Sequence, residues 1–89
     1  MDLPMFEKIQ ALSEEIGYFV DNHPENSEYH FVMRSGDPVN KMERRVRAQL
    51  EKEFEFDKMG TDIVILFEQG RKRKKAKMTV KERELEDED

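Results

Sequence analysis

Apolar side chains recur at helical spacing near the start of the chain. Ile9, Leu12, Ile16, Phe19 and Val20 fall on one stripe, with Met5 and Phe6 a turn earlier. That period predicts an amphipathic helix over residues 3–22. Asp2 can cap it, and Pro4 is tolerated in a first turn, where no intrahelical N–H bond is lost. Glu7, Glu14, Glu15 and Asp21 lie off the stripe, and Gly17 lowers the local helix propensity. Asn22 to Ser27 reads as a loop, because Pro24 biases His23 away from helix.

The period then changes to two. Over residues 28–34, Tyr29, Phe31 and Met33 share one face and His30 and Val32 the other, as in a strand. Asp37 followed by Pro38 reads as a capped helix start. Val39, Met42, Val46, Leu50 and Phe54 form the stripe of a second helix over residues 38–55. Gly60 in Lys58-Met59-Gly60 fits a helix stop. Residues 62–68 contain Ile63-Val64-Ile65-Leu66-Phe67, a β-prone run that suits a central strand. Such a strand is covered on both faces, or covered on one and flanked by neighbours. After a turn at Gln69 to Lys72, residues 73–81 alternate again, with Ala76, Met78 and Val80 on one face.

This order, α-β-α-β-β, predicts an α+β two-layer sandwich: a small mixed three-stranded sheet ending in a C-terminal basic hairpin. Residues 28–68 form a β-α-β unit, expected to be a right-handed crossover if its strands are parallel. Residues 1–81 are expected to form a single domain. Residues 82–89, with Leu85 their one apolar side chain, are expected to be a disordered acidic tail.

Charge adds what periodicity does not show. The 89 residues carry a net charge of −5, but unevenly. Residues 1–33 sum to −6, 34–60 to +1, 61–81 to +5 and 82–89 to −5. Arg71, Lys72, Arg73, Lys74, Lys75 and Lys77 crowd the hairpin, and Arg73, Lys75, Lys77 and Lys81 would form a row at about 7 Å per two residues. Such a row can track phosphates, and a β-ribbon can enter a groove. Tyr29, His30 and Phe31 would add base stacking if their face is open. Lysines on an outer strand also serve simply to prevent edge-to-edge aggregation. A second basic group, Arg44, Arg45 and Arg47 with Lys41, reads more readily as a solvated helix face in which Arg47 pairs with Glu51 and Lys41 repels Arg45. Glu7, Glu14 and Glu15 could meet a basic partner, with a solvated face as the plainer reading.

Several chemistries are excluded or left without support. No Cys means no disulfide, no thiolate zinc site and no thiol nucleophile. The five-residue apolar run is far short of a membrane span of about 20 residues. The acidic N-terminus lacks the basic and apolar regions of a signal peptide, so a soluble cytoplasmic protein is expected. His23 and His30 match no ligand spacing, so neither a metal nor another cofactor is expected. Asp57, Asp62 and Glu68 flank the central strand but are too scattered to match a nuclease pattern, and no motif supplies a nucleophile. Six Met suggest packing that tolerates rearrangement. The chain is therefore expected to be a non-enzymatic regulatory or accessory protein that binds a protein partner through charged surfaces. The alternative is nucleic-acid or ribosome association through residues 71–81, moderated by the acidic tail. The sequence does not fix an oligomeric state.

Overall fold

A computed structural model of the chain describes residues 3–22 and 29–83. The expected disorder of the acidic tail, the Asp2 cap and the 23–27 loop with His23 lie outside the described residues or concern them only in part. Two helices, α1 (Leu3–Glu15) and α2 (Val39–Glu53), accompany four strands: β1 (Phe19–Asn22), β2 (Tyr29–Arg34), β3 (Phe54–Gln69) and β4 (Lys72–Glu82). The order in the sheet is β1-β2-β3-β4. The β1/β2 and β3/β4 pairs are antiparallel and the β2/β3 pair is parallel. The α+β class and mixed sheet are as expected, but the sheet has four strands rather than three and the element order gains a strand after α1.

That strand comes from the segment the helical period claimed. Gly17 adopts φ 83°, a conformation that suits glycine. Its N–H donates to the Glu14 carbonyl at 2.9 Å, and the Tyr18 N–H donates to the Ser13 carbonyl at 2.9 Å. These two bonds close a Schellman motif, which ends the helix by satisfying its last carbonyls. Residues 19–22 then turn back as β1 against β2, so Asp21 belongs to a strand and not to the acidic helix face.

The second helix also ends early. Phe54 continues the apolar stripe but is the first residue of β3, buried beside Val46 and Leu50. Gly60 stops no helix. It lies inside β3, where Phe56 and Thr61 both pair with Val80 and Asp57 to Gly60 turn over it. A Cβ at Gly60 would fall on the Val80 carbonyl, so the close approach of two backbones requires glycine there. At the start of α2, Pro38 holds the cap position and no side chain caps the helix. The Asp37 carboxylate is used elsewhere, as described below.

Both helices cover the same sheet face. Phe6 of α1 meets Tyr29 edge-on at 4.3 Å and Phe31 at 5.3 Å between ring centroids. Met42, Val46 and Leu50 of α2 join the same core as Phe31, Met33, Ile63, Ile65, Phe67 and Val80. Tyr29 and Phe31 are buried, which removes them as base-stacking residues, while His30 is half-buried on the other face. The four buried methionines, Met5, Met33, Met42 and Met78, fill this core, while Met59 at the β3 irregularity is 89% exposed. No helix among the described residues is long and apolar enough to cross a membrane.

Candidate binding surfaces

The sheet face away from the helices is the first surface. Register sets its residues in rows across the strands. Phe19, Arg34, Glu68 and Arg73 form one row, and Asp21, Val32, Leu66 and Lys75 the next. His30, Val64 and Lys77 follow, then Asp62 and Thr79. Val64 is only 5% exposed although neither α1 nor α2 covers it; His30 and Lys77 flank it in register. Phe19, in contrast, is 62% exposed, with the Arg34 guanidinium 5.7 Å from its ring centroid.

Charges on this face pair with one another. Glu68 accepts from Arg34 Nε at 2.8 Å and meets Arg73 Nε at 3.1 Å, so one carboxylate bridges two strands. Lys77 lies 3.7 Å from Asp62, which also accepts from the Thr79 hydroxyl. Lys81 meets Asp57 at 3.2 Å. The Met59 N–H and then Lys81 hold the Asp57 carboxyl below the usual carboxylate range. Such exposed pairs stabilise little individually but offset local potential.

Arg73, Lys75, Lys77 and Lys81, the expected row, all fall at alternate positions of β4. Lys74 points the other way, to Glu43 at 2.8 Å and Asn40 at 2.9 Å on α2. The Lys74 bond is the main reason the Glu43 carboxyl lies low. Arg71 stands in the tight turn and Lys72 opens β4, both exposed. Among the described residues Arg71, Lys72 and Lys75 form no ion pair.

The arginines of α2 separate in function. Arg44 is exposed. Arg47 pairs with Glu43 at 3.4 Å, not with Glu51, and lies 5.8 Å from the Phe56 ring centroid. Lys41 and Arg45 do not simply repel, because Asp37 stands between them at 3.6 and 3.3 Å. Arg45 also stacks on Tyr18 at 5.3 Å. The Tyr18 hydroxyl donates to Asp37 at 2.8 Å and accepts from Arg45 at 3.3 Å. Burial, then the Asp37 bond, pushes the Tyr18 phenol up, while that same bond and Lys41 hold Asp37 down. These contacts tie the α1–β1 turn to the start of α2. Glu7, Glu14 and Glu15 remain exposed on α1, apart from the basic strand.

A hollow of about 380 Å³ opens beside β4, lined by Arg47, Phe56, Asp57, Lys58, Lys77, Met78 and Thr79. A smaller groove of about 200 Å³ between α1 and α2 is edged by Lys8, Glu15, Lys52 and Glu53. Among the described residues no three His, Asp or Glu side chains form a metal-binding group. Asp62 and Glu68 are six residues apart on β3, a separation of about 20 Å in a strand, and each already has a cationic partner. Sequence reasoning missed Phe19, which it placed on a helix; its exposure depends on the turn at Gly17. No family model, curated protein or solved structure matches this chain.

Proposed function

We propose that the chain is a small non-enzymatic binding module that docks a protein partner on the sheet face opposite α1 and α2. The observation that carries this reading is the parallel β2/β3 pair, with half-buried Val32 and Leu66 on a face that neither α1 nor α2 covers. Parallel strands are usually covered on both faces. Exposed Phe19 extends the apolar strip, and the ion pairs of Arg34, Glu68 and Arg73 rim it. Aromatic and aliphatic groups inside a charged rim are the composition of protein-recognition patches. A regulatory or accessory role in the cytoplasm fits this reading.

Nucleic-acid association is the second reading, favoured by Arg71, Lys72 and Lys75 at one end of the hairpin. It is weaker because Arg73, Lys74, Lys77 and Lys81 would have to leave carboxylates to meet phosphates. The test is crosslinking of the tagged chain inside cells, then capture of wild type and of the Leu66→Glu variant, with and without nuclease. The variant's fold is checked by thermal melting. Protein crosslinks that map to residues around Leu66, survive nuclease and disappear in the variant are expected. Capture that nuclease abolishes, or that Leu66→Glu leaves intact, overturns the proposal.

A further inference from the structure

The sheet face opposite α1 and α2 is complementary to itself. Its strands run β1-β2-β3-β4, so the β2/β3 pair lies at the centre. A two-fold axis parallel to the strands, above that pair, sets β1 of one copy over β4 of another and β2 over β3, with each row at its own level. In the row of Asp21, Val32, Leu66 and Lys75, Val32 then falls opposite the partner's Leu66, and Leu66 opposite the partner's Val32. Asp21 and Lys75 exchange in the same way. We propose that the occupant of this face is a second copy of the chain, packed face to face as a two-sheet sandwich. The inference rests on the protein-binding reading and names the partner for that same site.

No ion pair within the chain has to open. Glu68 keeps Arg34 and Arg73, and Asp62 keeps Lys77. Lys75 forms no ion pair among the described residues, and it is the cation that the two-fold sets opposite the partner's Asp21. One carboxylate on this face can serve two cations, as Glu68 does, so Asp21 need not give up a contact of its own. Phe19, 62% exposed, falls opposite the aliphatic stem of the partner's Arg73. Val32 and Leu66, half-buried in one copy, gain the second cover that parallel strands usually have. Charge also selects the axis. A two-fold running across the strands would lay β4 on β4 and set Arg73, Lys75 and Lys77 against the same bases. Four strands about 4.8 Å apart and three rows about 7 Å apart give a patch of about 400 Å² per copy. That is about half of a standard interface, so the dimer is weak and forms with rising concentration.

Sedimentation of the full chain from about 10 μM to about 1 mM should show a monomer–dimer equilibrium weaker than micromolar. Over the same range the amide resonances of Val32, Val64 and Leu66 should move, and those of α1 and α2 should stay. Lys75→Asp sets Asp against Asp twice, and Asp21→Lys sets Lys against Lys twice, so each variant alone should dimerise about tenfold or more weakly. Mixed in equal amounts, the two variants should associate as tightly as wild type, because their heterodimer restores both opposite-charge pairs. A residue that merely stabilised its own chain would not be rescued by mixing. Thermal melts check that each variant is folded. No self-association at about 1 mM overturns the proposal. So do concentration-dependent shifts confined to another surface, and a mixture that stays as weak as its components. A chain that is monomeric throughout leaves the protein-binding reading standing if cellular crosslinks at Leu66 reach a different protein and survive nuclease. Capture abolished by nuclease removes that reading itself.

Discussion

Replacing Gly60 with alanine should destabilise the fold for a reason that can be separated from backbone freedom. Gly60 sits where Val80 takes part in two ladders, paired with Phe56 and with Thr61. An added Cβ would overlap the Val80 carbonyl group and reach the Lys81 nitrogen at 3.0 Å. All three atoms are backbone, so no rotamer change relieves the overlap. The two segments must move apart by about 1 Å, and overpacking of that kind costs about 1–3 kcal/mol. Loss of one ladder hydrogen bond adds about 1 kcal/mol. With a urea dependence of about 1 kcal/mol/M, the unfolding midpoint should fall by about 2 M or more. Two other glycines supply the controls. Gly36 has open space where its Cβ would be, and its alanine variant should lie within about 0.5 kcal/mol of wild type. Gly17 also has open space but holds φ 83°, so its alanine variant should lose about 1 kcal/mol through strain alone. Urea melts of the three variants give the ranking. If Gly60→Ala unfolds at the midpoint of Gly36→Ala, the close crossing at Val80 is wrong.

Acid should weaken the fold. Asp37, Glu43 and Asp57 all have carboxyl pKa values lowered by folding, so their stabilisation is complete above the unfolded carboxylate range and is lost as pH falls below about 4; urea melts from pH 7 to pH 2.5 check this, and a triple Asn/Gln/Asn variant should show a flatter profile. Phe31→Ala should cost about 3–5 kcal/mol by opening a cavity among Phe6, Met33 and Ile65, measured by the same melts. Ser13 is fully buried yet should tolerate alanine within about 0.5 kcal/mol, because its hydroxyl donates only to the Ile9 carbonyl of its own helix and to the Met33 sulfur, and leaves no orphaned donor when removed.

The sequence made some elements readable and concealed others for definite physical reasons. β2, α2, the apolar centre of β3 and β4 each hold a long periodic pattern, and each lies within a few residues of its expected place. β1 has four residues, too few for alternation to compete with a helical match. Ile16, Phe19 and Val20 continue the spacing of Leu12, and only Gly17 at a C′ position and the β-prone Tyr18-Phe19-Val20 run signal the break. Phe54 misled in the same way: it completes the α2 stripe by number while opening a strand. For the candidate surface, alternation along β4 was enough to put Arg73, Lys75 and Lys77 on one side. Their partners were not legible. Lys74 meets Glu43 across 31 positions, and Glu68 bridges Arg34 and Arg73 only once β2, β3 and β4 are in register.

Those pairings change what the +5 of residues 61–81 means. Four of its seven bases, Arg73, Lys74, Lys77 and Lys81, lie within 4 Å of carboxylates in the fold. Arg71, Lys72 and Lys75, near the hairpin turn, carry the uncompensated charge among the described residues. The distinction is measurable through counterion release. A duplex bound through all seven bases should show a slope of log K against log salt of about −6, and through three bases about −3. The folded ion pairs oppose the larger footprint, because each phosphate contact at a paired base first separates a carboxylate. Duplex titrations at several salt concentrations should therefore give weak binding with a slope no steeper than about −3. A slope near −6 with tight binding would mean that the carboxylates let go readily. It would make the basic hairpin a nucleic-acid interface and leave the sheet face opposite α1 and α2 as plain surface.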